Sequence, residues 1–295
     1  MKILLAVDSS VASDVAVNQV VGRPWPPDTI VHVLTVLEPS HLWNAAGVAQ
    51  GLERSAEELV QFAARRLCSA GIESKQLVLP GDPKSVIVDQ AEGLAADLVM
   101  LGSHGVTGLT RFLLGSVAAN VARFAPCSVE IVRAATRTQL TPGGMKILVA
   151  TDGSECSEIA ARSIAERPWP TGTEVRVLSV VELSVPLFRA PVPPYFDPHA
   201  MEELRGAAMK KTEEAVMAAE QIMLNGGLQA SGTEAVPSAS PKELILNEAV
   251  EWGADLIVVG SHGRKGVSRF LLGSVSEAVA AHASCSVEVI RQRRA

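Results

Sequence analysis

Two short strings in this chain have the residue types and spacing to hold a phosphate. Gly102-Ser103-His104-Gly105 is followed, after nine residues, by Gly115-Ser116; Gly260-Ser261-His262-Gly263 is followed at the same spacing by Gly273-Ser274. Each string comes after an apolar run, Leu98 to Leu101 or Leu256 to Val259, and before a stretch of helical apolar periodicity. Strand, glycine-rich loop and helix start is the order that turns backbone N–H groups and a helix N-terminus toward an anion. Glycines at 102 and 105 permit positive φ and let a ligand approach the backbone. Ser116 and Ser274 either cap the helix they open or bond a phosphate, two compatible roles. His104 and His262 either donate to phosphate or fill the turn, and turn-filling is the favoured role. No residue stands out as a base for activating water.

Two carboxylates accompany the loops. Asp8 and Asp152 each follow a buried-strand pattern at the start of a half. They either cap the next helix, with Ser9-Ser10 and Gly153-Ser154 following, or accept hydrogen bonds from ribose hydroxyls. A position at the carboxyl end of a first strand favours the ribose. The loop is not a Walker P-loop, because Val117 and Val275 stand where a lysine would be needed for the β- and γ-phosphates. Nor is it the dinucleotide fingerprint, since the glycines come after the fourth strand and not the first.

The elements that must position these residues are themselves duplicated. Met1 to Asp8 is mirrored by Met145 to Asp152, Arg23-Pro24-Trp25-Pro26 by Arg167-Pro168-Trp169-Pro170, Pro83-Lys84 by Pro241-Lys242, and Cys127-Ser128-Val129-Glu130 by Cys285-Ser286-Val287-Glu288. The offset is 144 at Asp8 and 158 at Gly102, so the second copy carries a net insertion of 14 residues. Most of it falls in the proline-rich stretch from Pro186 to Pro198, which reads as a long loop. A repeat this long is a duplicated domain, not a solenoid unit of roughly 20–50 residues. The expected domains are 1–134 and 145–295, joined by a linker over 135–144.

Within the first repeat, continuous apolar runs and helical periodicity alternate. Strands are expected over Ile3 to Val7, Ile30 to Leu37, Gln76 to Leu79, Asp97 to Leu101 and Ser128 to Val132. Helices are expected after Ser9-Ser10, over Leu52 to Ala70 ending at Gly71, after Asp82-Pro83, and over Ser116 to Phe124. The class is therefore α/β: two repeats of a five-stranded parallel sheet with helices on both faces, Rossmann-like. In such sheets ligands lie at the carboxyl edge near the switch point of strand order, which brings Asp8, Val36 and Gly102 toward one crevice and Asp152, Val180 and Gly260 toward another.

Composition narrows the function. The net charge of −6 gives no basic nucleic-acid surface, and one Tyr with six Phe gives no stacking platform for single strands. Four cysteines lack metal spacing; Cys127 and Cys285 read as small buried hydrophobes. The apolar start is too short for a signal peptide, and no run approaches the ~18–20 residues that span a bilayer. A cytoplasmic protein is expected.

These residues resemble the universal stress protein family in its tandem form. The family's ATP-binding pattern, G, two residues, G, nine residues, G, then S or T, is met by Gly102, Gly105, Gly115 and Ser116 and again by Gly260, Gly263, Gly273 and Ser274. Leu113 to Val117, Leu271 to Val275 and Ala125-Pro126-Cys127 also look like this family. The resemblance implies a fold of the adenine nucleotide alpha hydrolase type and an adenine nucleotide (ATP, AMP or ADP) in each domain, often with Mg or Mn. It implies Asp8 and Asp152 on ribose and Val36 and Val180 at adenine. The glycines with Ser116 or Ser274 would take the phosphates, and His104, Val117, His262 and Val275 complete the candidate set. No catalytic residue and no protein metal ligand is expected. The resemblance further implies pairing of the two last strands as an intramolecular pseudo-dimer, with Val129, Ile131, Val287 and Val289 on matching positions. A homodimer of the tandem chain and unidentified protein partners are compatible with it.

The repeats also differ. Gly81 precedes the third helix in one, Ala239 in the other. Val106-Thr107 in the first loop faces Arg264-Lys265 in the second, so a modest preference of ATP for the second domain is expected. The leading functional reading is a nucleotide-dependent stress-response protein that is not an enzyme. The alternative is a slow ATPase, or an enzyme that phosphorylates itself on Ser116 or Ser274.

Overall fold

A computed structural model describes residues 1–38, 48–105, 114–134, 144–180, 198–235, 240–263 and 272–292. The order in the first half is β1 (Lys2–Ala6), α1 (Val11–Gly22), β2 (Ile30–Leu37), α2 (Val48–Ser69), β3 (Glu73–Pro80), α3 (Pro83–Gly93), β4 (Leu98–Gly102), α4 (Ser116–Phe124) and β5 (Ser128–Val132). The second half repeats it as β6 (Lys146–Thr151), α5 (Glu155–Ala165), β7 (Glu174–Val180), α6 (Pro198–Asn225), β8 (Gln229–Ala235), α7 (Pro241–Trp252), β9 (Leu256–Gly260), α8 (Ser274–His282) and β10 (Ser286–Ile290). Among the described residues, no helix is long and apolar enough to cross a membrane.

All ten strands join one sheet, in the order β3-β2-β1-β4-β5-β10-β9-β6-β7-β8. Within each half the strands are parallel; the halves meet where β5 runs antiparallel to β10. The expected pairing of last strands is present, with Val287 opposite Ile131, Glu288 opposite Glu130 and Val289 opposite Val129. Each strand end is tied to the other half: Arg133 N–H donates to Ser286 Oγ and Arg291 N–H to Ser128 Oγ, both at 3.2 Å.

The two faces of the junction differ. On one, Val129, Ile131, Val287 and Val289 lie in a single apolar core that runs through both halves and includes Leu4, Leu101, Leu148 and Val259. On the other, the halves keep separate cores around Ile3 and Met100 or Ile147 and Val258. Between these cores sit Glu130 and Glu288, 0% and 1% exposed. Arg23 grips Glu130 with two hydrogen bonds, 2.8 and 2.6 Å, and Arg167 reaches Glu288 at 2.7 Å. Both guanidiniums lie by the Trp169 ring, 5.9 and 5.1 Å from its centroid. The duplicated Arg-Pro-Trp-Pro and Cys-Ser-Val-Glu strings are thus partners in one buried charge cluster.

Local signals explain most boundaries. Ser10 and Ser154 cap α1 and α5, accepting from Ser13 and Ser157 N–H. Asp82 accepts from Lys84 N–H, with Pro83 in the first turn of α3. The third strand is longer than expected, because an outermost strand pairs on one side only and tolerates Glu73, Ser74 and Lys75. The insertion of the second half also lengthens its helix: α6 has 28 residues against 22 in α2. Apart from Pro198, the proline-rich stretch expected as a loop lies outside the described residues, as does the linker between Ala134 and Gly144. Cys127 and Cys285 are buried in the shared core, where burial pushes the Cys285 thiol up to about 12.

Two predictions follow from the charge cluster. Arg23→Met strands Glu130 in the interior, and should lower the unfolding free energy by about 3–5 kcal/mol in urea titration at neutral pH. Burial first, then the neighbouring Glu130, raises Glu288 above its ordinary 4.5 despite Arg167. An acid raised in the folded state contributes its full stability below 4.5 and loses it as pH climbs through the folded value. The stability of the native chain relative to Glu288→Gln should therefore fall as pH rises from 4 toward neutrality. A pH-independent difference would show that Glu288 keeps its ordinary value in the folded chain.

Candidate functional site

The carboxyl edge is set by the strand register. Ala6 lies beside Leu34 on one side and Leu101 on the other, so β1 and β4 end within a residue of each other while β2 runs on to Leu37. Strand order reverses between β1 and β4, and Asp8 and Gly102 flank that switch point. The second half places Asp152 and Gly260 likewise, next to β6 and β9. Val36 is the penultimate residue of β2 and Val180 the last of β7, opposite Leu79 and Ala235 in the neighbouring strands.

Asp8 is not the helix cap, since Ser10 holds that position. Its Oδ1 accepts from the Ser10 N–H at 3.0 Å and from the Ser10 hydroxyl, while its own N–H donates to Ser13 Oγ at 3.0 Å. Asp152 Oδ1 accepts from Ser154 N–H at 3.0 Å. The other carboxylate oxygen faces the loop: a Cβ on Gly105 would lie 3.0 Å from Asp8 Oδ2, and one on Gly263 2.7 Å from Asp152 Oδ2. The second glycine of each pattern therefore lies against the carboxylate that follows the first strand.

The expected reason for the glycines needs correction. Positive φ occurs at Gly71 and Gly81 among others, but not at Gly102, Gly105, Gly260 or Gly263. Their requirement is close approach. A Cβ on Gly102 would fall 2.8 Å from the Ala12 carbonyl carbon, and one on Gly260 2.8 Å from that of Cys156. The first turns of α1 and α5 press directly on these strand ends.

Ser116 and Ser274 do not cap α4 and α8 either. The cap positions are Gly115 and Gly273, with no side-chain cap hydrogen bond. The serines are exposed first-turn residues, so their hydroxyls and the first-turn N–H groups face outward at the positive end of each helix. Gly115 N–H donates to Ser103 carbonyl and Gly273 N–H to Ser261 carbonyl, both at 2.8 Å, pinning each helix start to its loop. Val117 and Val275 pack against the shared core, so only their backbone can reach a ligand.

The histidines are anchored alike. Ser103 Oγ lies 3.1 Å from His104 Nδ1, and Ser261 Oγ 3.0 Å from His262 Nδ1. In both, Nε2 is buried and has no hydrogen-bond partner among the described residues. Burial, with the Arg133 charge second, holds His104 below the usual imidazole range and so neutral at pH 7. One orphaned buried polar atom in each loop is the feature that turn-filling alone does not explain. The loops also differ: Ser276 Oγ donates to Gly260 carbonyl at 2.6 Å, where the first half has Ala118. Val106, Thr107, Arg264, Lys265 and Ala239, on which the expected inequality rested, lie outside the described residues. Among the described residues, no cluster of His, Cys, Asp and Glu could hold a metal ion by itself.

Sequence reasoning missed two arginines. Arg133 follows β5 and donates from Nη2 to the carbonyls of Ala280 and Ala281, 2.7 and 3.0 Å, at the end of α8. Arg291 follows β10 and donates to Ala122 and Arg123, both 2.7 Å, at the end of α4. Their signal was present as an arginine three residues after each Glu of the repeated string.

The sequence profile of the Universal stress protein family matches residues 1–133 and 145–291. A universal stress protein of Mycolicibacterium smegmatis is 28% identical over 308 residues, covering 99% of this chain and 97% of the relative. Putative universal stress proteins of Staphylococcus aureus are 35% identical over 156 residues, 50% of this chain and 91% of theirs. The crystal structure of a universal stress protein from Archaeoglobus fulgidus shares the fold, with a TM-score of 0.66 at 22% identity over 98% of both chains. With both halves matched and the doubled α/β architecture shared, the chain belongs to the universal stress protein family.

Proposed function

We propose that each half binds one adenine nucleotide at its carboxyl edge, and that the chain works as a nucleotide-responsive stress protein of the cytoplasm acting through protein partners. The observation that carries this reading is the duplicate arrangement itself: a carboxylate against the loop glycines, an uncapped helix N-terminus, and a buried histidine Nε2 without a partner among the described residues, in both halves. Asp8 and Asp152 suit ribose hydroxyls, and the backbone at Val36 and Val180 suits adenine. The loop amides with Ser116 or Ser274 suit the phosphates, and a divalent cation would ride on those phosphates.

Calorimetric titration with MgATP should give two sites per chain. Asp8→Ala should remove a charged hydrogen-bond acceptor worth about 1.5–3 kcal/mol, a loss of roughly 10- to 100-fold at the first site alone. Gly263→Val should weaken the second site alone, because its Cβ would fall 2.7 Å from Asp152 Oδ2 and push that carboxylate from its place. A stoichiometry of zero refutes the reading.

The exposed, uncapped Ser116 hydroxyl favours a second reading, self-phosphorylation or slow ATP hydrolysis. Steady phosphate release well above that of an Asp8→Ala/Asp152→Ala double variant would establish the enzyme. Equal background rates leave the binding protein.

A further inference from the structure

We propose that Arg133 and Arg291 are positioning residues that couple the two nucleotide sites across the junction, each acting on the site of the opposite half. This rests on the binding reading above and deepens it. Helix α4 presents Gly115 and Ser116 to the first site, and its final carbonyls are held by Arg291 from the second half. Helix α8 presents Gly273 and Ser274 to the second site, and its final carbonyls are held by Arg133 from the first.

Each arginine is also tied to the loop of its own half. Val132 carbonyl accepts from Ser103 N–H at 2.8 Å, and Arg133 is the next residue. Ile290 carbonyl accepts from Ser261 N–H at 2.9 Å, and Arg291 is next. A continuous path therefore runs from the first loop through Arg133 to α8 and the second site, and the mirror path runs from the second loop through Arg291 to α4 and the first.

The physical link is the helix dipole. A cation at a helix C-terminus and an anion at its N-terminus stabilise the same helix. Phosphate at the start of α4 and Arg291 at its end each favour the ordered helix, so the helix that one has ordered costs less for the other to hold. The grip of Arg291 fixes the end of β10, from which the second loop hangs. The second ligand then meets a more ordered loop, so the coupling is positive. Arg133 is the more buried arm: it is 3% exposed, lies against the end of α8, and stands close enough to His104 in its own loop for its charge to act there.

The test uses MgATP and the full chain. In an Asp152→Ala background, where only the first site remains, Arg291→Ala should weaken binding roughly 3- to 10-fold, the scale of a lost C-terminal cation. In an Asp8→Ala background, Arg133→Ala should weaken the second site at least as much. With both sites intact, the native chain should bind its second ATP about five-fold tighter than its first, after statistical correction. Arg133→Ala/Arg291→Ala should reduce that ratio to one, while the lysine variants, which keep the charge but not the fork, should retain part of it. A general structural role would lower thermal stability without this crossed pattern. Two independent sites in the native chain, or unchanged binding at the opposite site, overturn the coupling and leave nucleotide binding standing. A native chain that binds no ATP overturns both.

Discussion

The antiparallel seam between β5 and β10 is the constraint on which the rest depends. It places Glu130 directly opposite Glu288 in a buried position, where two like charges repel and neither reaches water. The arrangement holds only because each carboxylate has its own arginine, supplied from the turn after α1 or α5. Those turns are fixed in space by the strands they feed. A buried charge cluster of this kind adds little net stability over an apolar seam, but removal of one member is costly. The same seam uses up the free edge of each five-stranded sheet, so that edge is not left for a second copy of the chain.

The seam also sets the relation between the candidate sites. Because the halves pair edge to edge, α4 and α8 lie against each other, bridged by Arg123 and Glu277 at 2.7 Å. Their N-termini point to separate crevices and their C-termini meet arginines from the opposite half. Two such domains on an unstructured tether would have two unrelated sites. Joined through the sheet, they share a core on one face, and a change at one helix start has a packed route to the other.

Much of this was legible in the residues. Apolar runs marked the strands buried on both faces, and Ser10, Asp82 and Ser116 marked helix starts to within a residue. The outer strand β3 begins before the expected Gln76 because an edge strand needs no apolar alternation to make its ladder and so takes in the polar Glu73, Ser74 and Lys75. The spacing of the glycines is plain in the sequence, but their need for close approach, in place of positive φ, is not. A close approach between Gly102 and Ala12, ninety residues apart, has no local signature. Ser116 does not cap its helix, since the cap is one residue earlier, at Gly115. Arg23 and Glu130 were each noticed in repeated strings, yet their pairing across 107 residues is a product of topology that spacing does not encode.

Native mass spectrometry of the purified chain in millimolar ATP tests the central claim most directly, because it counts nucleotides on each molecule. The account predicts a dominant species carrying two, with the singly loaded form peaking at about a third of the molecules at intermediate concentration, below the half expected of independent sites. A spectrum showing only the bare chain at every ATP concentration would contradict it.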